Sequence, residues 1–401
     1  MIHDYLSFGR AHWRALLFGS TLMMLSSFGQ TFFISLFGAR LRDELHLTDG
    51  GLGTIYAAAT IASALSLPVV GRWIDHTTVR RYALSVAAFL SGACLLMAAS
   101  HSLLTLLACF YCLRLGGQGL MVHTSLTTTA RTFPAHRGKA IGLITLGLPL
   151  GEAVLPVLAV STAGIVGWRV TWIAGATLVV VGTLFALRFL PPAIARTRAA
   201  DGFSASTRAH TLRLWRDRRL LLTMPCVLAS PFISTGFFFH QTRLAQEKHW
   251  SLELVAACFI GYAVARACSL LANGPLIDRF GATRMLPFFL VPQAVAMATL
   301  AGTSNPIGVP IYLISTGISS GIAATMATAL WVEMYGPQHL ARVRSSVEAA
   351  SVLATGLAPV VMGKLIDAGV ALSTQAGGCL IAVIVVSWVS TFAARYAEVT
   401  E

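Results

Sequence analysis

Three ionisable side chains lie well inside otherwise apolar stretches of this 401-residue sequence: Arg114, Glu152 and Arg266. If those stretches cross a membrane, each charge costs about 2.5–3.5 kcal/mol on insertion scales, so such groups usually face a cavity or one another. A carboxylate can take up and release a proton, and a guanidinium can bind an anion through parallel hydrogen bonds. Their chemistry therefore suggests the binding of a small charged molecule, linked to the movement of a proton.

Arg114 and Glu152 lie about 11 residues from the outer ends of two consecutive apolar stretches, which is about 17 Å deep for helices that rise 1.5 Å per residue. On adjacent antiparallel helices the two side chains can pair. In one interpretation Glu152 takes a proton and thereby frees Arg114 to bind an anionic substrate. In the other, the pair is permanent and holds two helices together, because breaking a buried ion pair leaves a costly single charge.

Arg266 has no acidic neighbour within one helical turn, and an ion pair with Glu348 or Asp278 is the structural alternative to a binding role. Two arginines and one acid leave an excess of positive charge, which an anionic substrate would balance and a cationic one would increase. Gln30 and His240 are polar residues in the first and seventh apolar stretches. Either residue can contact a ligand, and hydrogen bonding between helices explains them as well.

The composition identifies the elements that must position these residues. Hydrophobic residues make up 56% of the chain, charged residues 11%, and the mean hydropathy is +0.72. A soluble domain has roughly a quarter charged residues, so a soluble enzyme with an ordinary surface is excluded. A transmembrane helix needs about 20 apolar residues, and twelve of them use roughly 240. We therefore predict an all-α polytopic membrane protein with 12 transmembrane helices, the first at about 14–38.

The charge and the cysteines do not indicate other classes of protein. The net charge of +13 comes from 29 Lys and Arg against 16 Asp and Glu. Most of the basic residues fall on the predicted cytoplasmic side, as the positive-inside rule expects. They lack the interleaved aromatic residues of nucleic-acid sites, so no nucleic acid is expected. The seven cysteines lie in apolar segments without metal-ligand spacing. No metal, no cofactor, no phosphate-binding loop and no enzymatic constellation is expected.

The sequence contains an internal repeat with a constant offset of 203 residues. The offset relates residues in three separate loops, so chance is a poor explanation. It implies two parallel six-helix repeats, a first bundle at 1–190 and a second at 219–401, joined by a cytoplasmic linker at 191–218. Parallel halves of this kind place a binding site between them and alternate its access. The matching pairs are Arg40 and Arg243, Glu44 and Glu247, His46 and His249, Gly71 and Gly274, Asp75 and Asp278, Pro134 and Pro337, His136 and His339, and Pro156 and Pro359.

At these residues the chain resembles the major facilitator superfamily over its whole length. That family has a Gly-x-x-x-Asp-Arg-x-Gly-Arg-Lys/Arg loop after its second span, which latches the conformation open to the outside. The first copy here departs from the pattern at His76 and Thr78, which weakens its latch, and the second copy is closer. The resemblance implies gating roles for Gly71, Asp75, Arg80, Gly274, Asp278 and Arg279. The alternative for each copy is a solvated topology signal.

Two further motifs suggest a branch of the family. Arg114-Leu-Gly-Gly-Gln-Gly119 is similar to the family's Arg-x-x-Gln-Gly element but is one residue longer. In the fifth span Glu152 stands where drug antiporters typically have proline. The pattern is more similar to the monocarboxylate-porter and bacterial organic-anion branch, in which an arginine on the same span as Arg266 receives the substrate carboxylate.

We therefore expect a proton-coupled secondary transporter of a small organic anion, such as a monocarboxylate, that works by alternating access. Arg114, Arg266, Gln30 and His240 would bind the substrate, and Glu152 would carry the proton. The expected setting is the lipid bilayer of a bacterial-type inner membrane, with both termini cytoplasmic and the chain a monomer. An exporter of drugs or hydrophobic metabolites by proton antiport is the main alternative, and a non-transporting membrane receptor is the remote one.

Overall fold

The computed structural model of the chain describes residues 2–191, 194, 217–336 and 340–398. Within these residues every regular element is a helix. Eleven of the helices are long and apolar enough to cross a membrane. A bent pair, Ser7–Gly29 with Thr31–Leu45, brings the number to twelve if it forms one span. The prediction of an all-α polytopic membrane protein is confirmed. The predicted linker at 191–218 falls almost entirely outside the described residues.

The contacts divide the chain into two compact units. The first consists of Met1–Leu47 and Thr54–Gly202. Its helices are α1 (Ile2–Leu25), α2 (Thr31–Ile34), α3 (Gly38–Leu45), α4 (Asp49–Val70), α5 (Trp73–His76), α6 (Val79–Ala98), α7 (Leu103–Leu113), α8 (Val122–Thr132), α9 (Arg137–Thr145), α10 (Gly147–Val166) and α11 (Trp168–Phe189). The helix α1 packs against α8, α9, α10 and α11, and α6 packs against α11.

The second unit consists of Thr48–Gly53, which contains the first turn of α4, and Phe203–Glu401. Its helices are α12 (Arg218–Phe239), α13 (Gln241–Lys248), α14 (Leu252–Phe280), α15 (Ala282–Met285), α16 (Val291–Gly302), α17 (Gly308–Tyr335), α18 (Leu340–Asp367) and α19 (Leu372–Glu398). The helix α14 packs along α17, α12 along α18 and α19, and α16 along α17 and α19.

The first span is broken in its middle, where a single long helix at about 14–38 was expected. The helix α1 ends at Leu25, a 3₁₀ turn covers Ser26–Gly29, and Gln30 is extended with φ −87° and ψ 150°. The helix α2 then starts at Thr31. A helix interrupted in this way leaves backbone groups without partners inside the helix, and other elements must satisfy them. The break therefore exposes main-chain carbonyls inside the first unit.

The repeat predicted from the 203-residue offset is visible as a pair of equivalent contacts. In the first unit, Glu44 accepts hydrogen bonds from Trp168 Nε1 at 2.8 Å and from Arg169 Nη1 at 2.7 Å. In the second, Glu247 accepts from the backbone amides of Leu372 at 2.7 Å and Ser373 at 2.9 Å. Each acid thus contacts the first residues of the last long helix in its unit, α11 or α19.

Candidate functional site

Arg114 opens an unusually wide helical segment. Residues Arg114–Met121 form a π-helix between α7 and α8. This segment is the motif that is one residue longer than the family's, and a π-helix accommodates an extra residue within a continuous helix. Arg114 is only 3% exposed. A buried guanidinium therefore stands at the start of the widened segment.

The recorded contacts of Arg114 come from the broken first span and from α4. Its Nη1 donates to the carbonyl oxygen of Gly29 at 3.1 Å and reaches the Thr31 hydroxyl at 3.5 Å. Its guanidinium carbon lies 5.3 Å from the centre of the Tyr56 ring, and the Tyr56 and Thr31 hydroxyls are 2.7 Å apart. None of these partners carries a negative charge. The predicted pair with Glu152 is not among these contacts.

Close backbone packing positions the guanidinium. A Cβ atom on Gly117 would lie 2.6 Å from the Cα of Gly29, so only glycine fits there. The break in the first span frees the Gly29 carbonyl, and the π-helix is pressed directly against that break. Gln30, predicted to bind substrate, is the extended residue at the break and is half-buried. The structure thus brings Arg114 and Gln30 to one region of the first unit.

Glu152 lies on α10 and is 3% exposed. The helix α10 packs on both pieces of the broken span, Ser26–Gly29 and Thr31–Ile34. At the preceding residue, a Cβ on Gly151 would lie 2.3 Å from the Ser27 hydroxyl oxygen. Arg114 and Glu152 therefore belong to elements that meet the same broken segment, and both side chains are buried. The first unit collects three of the predicted site residues around the break.

Arg266 occupies a different environment in the second unit. It lies on α14 and is half-buried. Its backbone is pressed against α17, because a Cβ on Gly321 would lie 2.5 Å from the Arg266 carbonyl oxygen. One turn earlier, Gly317 makes the same kind of approach to Tyr262 at 2.4 Å. Glycines on α17 therefore fix the position of the α14 backbone at Arg266.

His240 is buried between elements of the second unit, with 1% of its surface exposed. Its Nε2 lies 2.9 Å from the carbonyl oxygen of Pro359 on α18. Its Nδ1 lies 3.5 Å from Oδ1 of Asp49, the first residue of α4. Both nitrogens of this predicted substrate ligand are thus already next to protein groups.

The first copy of the loop motif forms an ion pair within its own unit. Asp75, on the short helix α5, pairs with Arg131 at the end of α8. The carbonyl oxygen of Gly71 accepts a hydrogen bond from the Tyr82 hydroxyl at 3.4 Å. Arg80 is exposed on the first turn of α6. In this copy the aspartate therefore holds the end of the fourth span.

The second copy is arranged differently. The helix α14 continues through Gly274 to Phe280, and Asp278 and Arg279 are exposed at its end. The acid in contact with this loop is Glu333 on α17, which accepts hydrogen bonds from the backbone amides of Ala282 at 2.6 Å and Thr283 at 3.3 Å. A carboxylate there satisfies the first amides of α15.

Sequence reasoning missed four residues of these clusters, which are Thr31, Tyr56, Asp49 and Glu333. Asp49 and Glu333 each stand at the end of an apolar stretch, where an acid is a usual topology feature, so their position alone carried no signal. Thr31 and Tyr56 are ordinary in a membrane helix. Among the described residues no group of three His, Cys, Asp or Glu side chains can hold a metal ion.

Comparisons with known proteins agree with this architecture. The sequence matches the Major Facilitator Superfamily over residues 19–265 and 226–398. A solved bacterial homologue of the human lysosomal transporter Spinster, inward-facing and unoccupied, has a TM-score of 0.72 at 13% identity, over 95% of this chain and 96% of that chain. The nucleoside transporter NupG has a TM-score of 0.69 at 14% identity, over 96% and 98%.

A comparison with curated proteins finds no significant match. Likeness to solved structures at such low identity is evidence for the fold and not for a substrate. The family match, by contrast, covers most of the chain and both units. This chain belongs to the major facilitator superfamily and is a multi-pass membrane transporter rather than an enzyme.

Proposed function

We propose that the protein is a proton-coupled secondary transporter of a small organic anion, with a monocarboxylate as the simplest candidate. The observation that carries the proposal is the environment of Arg114. A guanidinium that is 3% exposed contacts a carbonyl, a hydroxyl and an aromatic ring, and none of these partners is acidic. Burying a charge without a counter-charge is costly. An anionic substrate supplies the missing charge, and the planar guanidinium suits a carboxylate.

The remaining site residues take the following roles in this proposal. Glu152, buried on α10 against the same broken span, carries the coupling proton. Arg266, which lies in the second bundle, also binds the substrate carboxylate. Gln30 makes an uncharged contact with the substrate at the break in the first span. Asp75 and Asp278 serve in gating through their loops. His240 has both ring nitrogens next to protein groups, so we assign substrate binding to the other residues.

The proposed setting is a bacterial-type inner membrane with both termini in the cytoplasm, where the chain works as a monomer. The bundles at 1–190 and 219–401 alternate the access of the site, and the segment at 191–218 joins them on the cytoplasmic side. The similar structures, a nucleoside transporter and a bacterial homologue of a lysosomal transporter, support solute movement in general. The predominance of basic residues in the predicted cytoplasmic loops supports the orientation.

The experiment is uptake of labelled monocarboxylates into proteoliposomes under an inward proton gradient. Wild-type protein should concentrate a carboxylate, and a proton ionophore should abolish the accumulation. Arg114→Lys keeps the charge but loses the planar fork. The loss of one charge-assisted hydrogen bond, about 1.5–3 kcal/mol, should weaken affinity by roughly tenfold to a hundredfold. Arg344→Lys, at an exposed arginine on α18, is the matched control and should leave uptake unchanged.

The Glu152→Gln variant distinguishes a role of Glu152 in proton coupling from a role in substrate binding. The variant should lose uptake driven by the proton gradient but retain exchange of labelled for unlabelled substrate across the membrane. If no carboxylate is taken up, and cationic dyes are expelled instead, the protein is an exporter of the antiporter type and the proposal is wrong. If Arg114→Lys transports as well as wild type, the anion is bound elsewhere.

A further inference from the structure

His240 is placed so that both of its ring nitrogens meet an oxygen atom. Nε2 is 2.9 Å from the Pro359 carbonyl oxygen, and Nδ1 is 3.5 Å from Asp49 Oδ1. The ring is 1% exposed, and Asp49 is also buried. Water is therefore largely excluded from this contact, and its hydrogen bonds must be balanced by the protein itself.

The two contacts of His240 determine how many protons the imidazole and the Asp49 carboxyl group must carry together. A carbonyl oxygen only accepts, so the hydrogen bond to Pro359 requires a hydrogen on Nε2. In a neutral imidazole the other nitrogen, Nδ1, then presents a lone pair. That lone pair would face an ionised carboxylate, with two acceptors in contact at a buried position. One added proton removes the conflict, either on Nδ1 of the imidazole or on the Asp49 carboxyl group.

The internal repeat shows that packing alone does not require histidine at this position. Subtracting the 203-residue offset from His240 and Pro359 gives Phe37 and Pro156. Phe37 is buried, and its ring lies 5.2 Å from that of Trp172. The equivalent of Asp49 in the second half is Leu252. The residue equivalent to His240 is therefore an apolar ring in the first half, and the residue equivalent to Asp49 is a leucine in the second half.

The same turn of α4 is held against α18 by further contacts. Asp367 accepts hydrogen bonds from the backbone amides of Asp49 at 3.1 Å and Gly50 at 3.0 Å. A Cβ on Gly363 would lie 2.6 Å from the Asp49 carbonyl oxygen. Among the described residues, Asp49 is the charged group beside the imidazole, and Asp367 and Lys364 of α18 lie against the turn that carries Asp49. Arg243, one turn after His240, is exposed.

We propose that His240 and Asp49 form a proton-binding site that holds the first turn of α4 against α18. With the proton bound, an imidazolium or a carboxylic acid bridges Pro359 and Asp49. Without it, two acceptors face each other in a buried space and the contact weakens. The site is separate from Glu152 and does not depend on which solute the protein carries.

The test is the unfolding temperature of the purified full-length protein between pH 5.5 and 8, the range in which histidines ordinarily change charge. The proton favours the folded contact, so its stabilisation is present at low pH and is lost as pH rises. The unfolding temperature of wild type, measured relative to His240→Gln, should fall by roughly 2–4 °C over this range. Asp49→Asn should remove the same pH-dependent difference.

Asp367→Asn is the matched control, because Asp367 caps the same turn without contacting the imidazole. It should lower the unfolding temperature by a similar amount at every pH in the range. A difference between wild type and His240→Gln that does not vary with pH would overturn the proposal. If the variants do not fold, amide exchange of wild-type residues 48–53, corrected for intrinsic rates, should accelerate about tenfold from pH 5.5 to 8, and constant exchange would equally overturn it.

Discussion

His46 and His249 lie 203 residues apart, and each ends a short helix in the left-handed backbone conformation, with φ of 51° and 55°. Among the described residues they are the two non-glycine positions with positive φ. A residue with a side chain rarely adopts this conformation. The same uncommon backbone geometry at equivalent points of the two halves is independent structural support for the duplication.

Replacing either histidine with glycine should change the stability of the protein little, whereas replacing it with valine should destabilise the protein. The left-handed conformation costs a residue with a Cβ roughly 1–2 kcal/mol, and glycine avoids that cost. His46→Gly and His249→Gly should therefore change the free energy of unfolding by less than about 1 kcal/mol, because the gain is offset by the greater freedom of the unfolded chain. His46→Val and His249→Val should each destabilise by more than that. The unfolding temperatures of all four variants in detergent test this prediction. Equal stability of the valine and glycine variants would contradict the left-handed conformation of His46 and His249.

Gly117→Ala should destabilise the first unit. The added methyl group would lie 2.6 Å from the backbone of Gly29, which cannot move without displacing the broken first span. Overpacking of this kind costs about 1–3 kcal/mol. Gly92→Ala is the control, since a Cβ there meets nothing within 4 Å and alanine is the better helix former. Unfolding should occur at a lower temperature for the first variant and at an unchanged or higher temperature for the second.

Glu247 should stabilise the protein in a pH-dependent way. Burial raises the pKa of Glu247, but hydrogen bonds from Ser373 and Leu372 and the charge of Lys248 outweigh burial and lower it below its usual 4.5. Because the folded-state pKa is the lower one, the stabilisation is complete above 4.5 and disappears as pH falls through the folded-state value.

Glu247→Gln should accordingly lower the unfolding temperature at pH 7, by roughly 2–4 °C for a lost helix cap. The difference from wild type should shrink below about pH 4.5. Glu348→Gln is the control, because Glu348 is 64% exposed and 3.7 Å from Arg344, and exposed pairs contribute little. A constant difference between wild type and Glu247→Gln down to pH 3 would show that the carboxylate is not the stabilising group.

Asp75→Asn should affect transport more than stability. The side chains of Asp75 and Arg131 are 42% and 36% exposed, and pairs so accessible to solvent stabilise by about 0–1 kcal/mol. The unfolding temperature should therefore change little. If the loop acts in gating, the uptake rate should fall severalfold while substrate affinity is kept. Asp278→Asn changes the equivalent, exposed residue of the second half and is the comparison. An unchanged uptake rate in both variants would show that the two loops do not act in gating.

Most of the fold could be predicted, because the hydropathy pattern and the internal repeat are properties of long segments of the sequence. Apolar stretches of span length and the offset joining Glu44 to Glu247 required no knowledge of packing. The break at Gln30 was not predicted, although Ser26, Ser27, Gly29 and Gln30, which are poor helix formers or polar, lie at it. A window of hydropathy averages such a run into its apolar surroundings.

The sequence singled out Arg114, Glu152 and Gln30, which the structure places around the break in the first span, but it did not predict their contacts. Counting residues along a helix gave the depths of Arg114 and Glu152, but depth does not determine the direction in which a side chain points. The π-helix at Arg114 adds a residue within the helix, and this changes the direction further. Partners such as the Gly29 carbonyl come from backbone that is available only because the first span is broken. Those contacts depend on tertiary structure and have no signature in the sequence.

The 203-residue offset relates Glu44 to Glu247, yet the two carboxylates bind different groups. In the first half the acid binds the side chain of Arg169, whose counterpart 203 residues later is Leu372. There the acid binds main-chain hydrogens instead. Every residue except proline supplies such a hydrogen, so the contact with Glu247 does not require a particular side chain at positions 372 and 373. The shared carboxylate therefore anchors the last long helix of each half, through a side chain in one and through the main chain in the other.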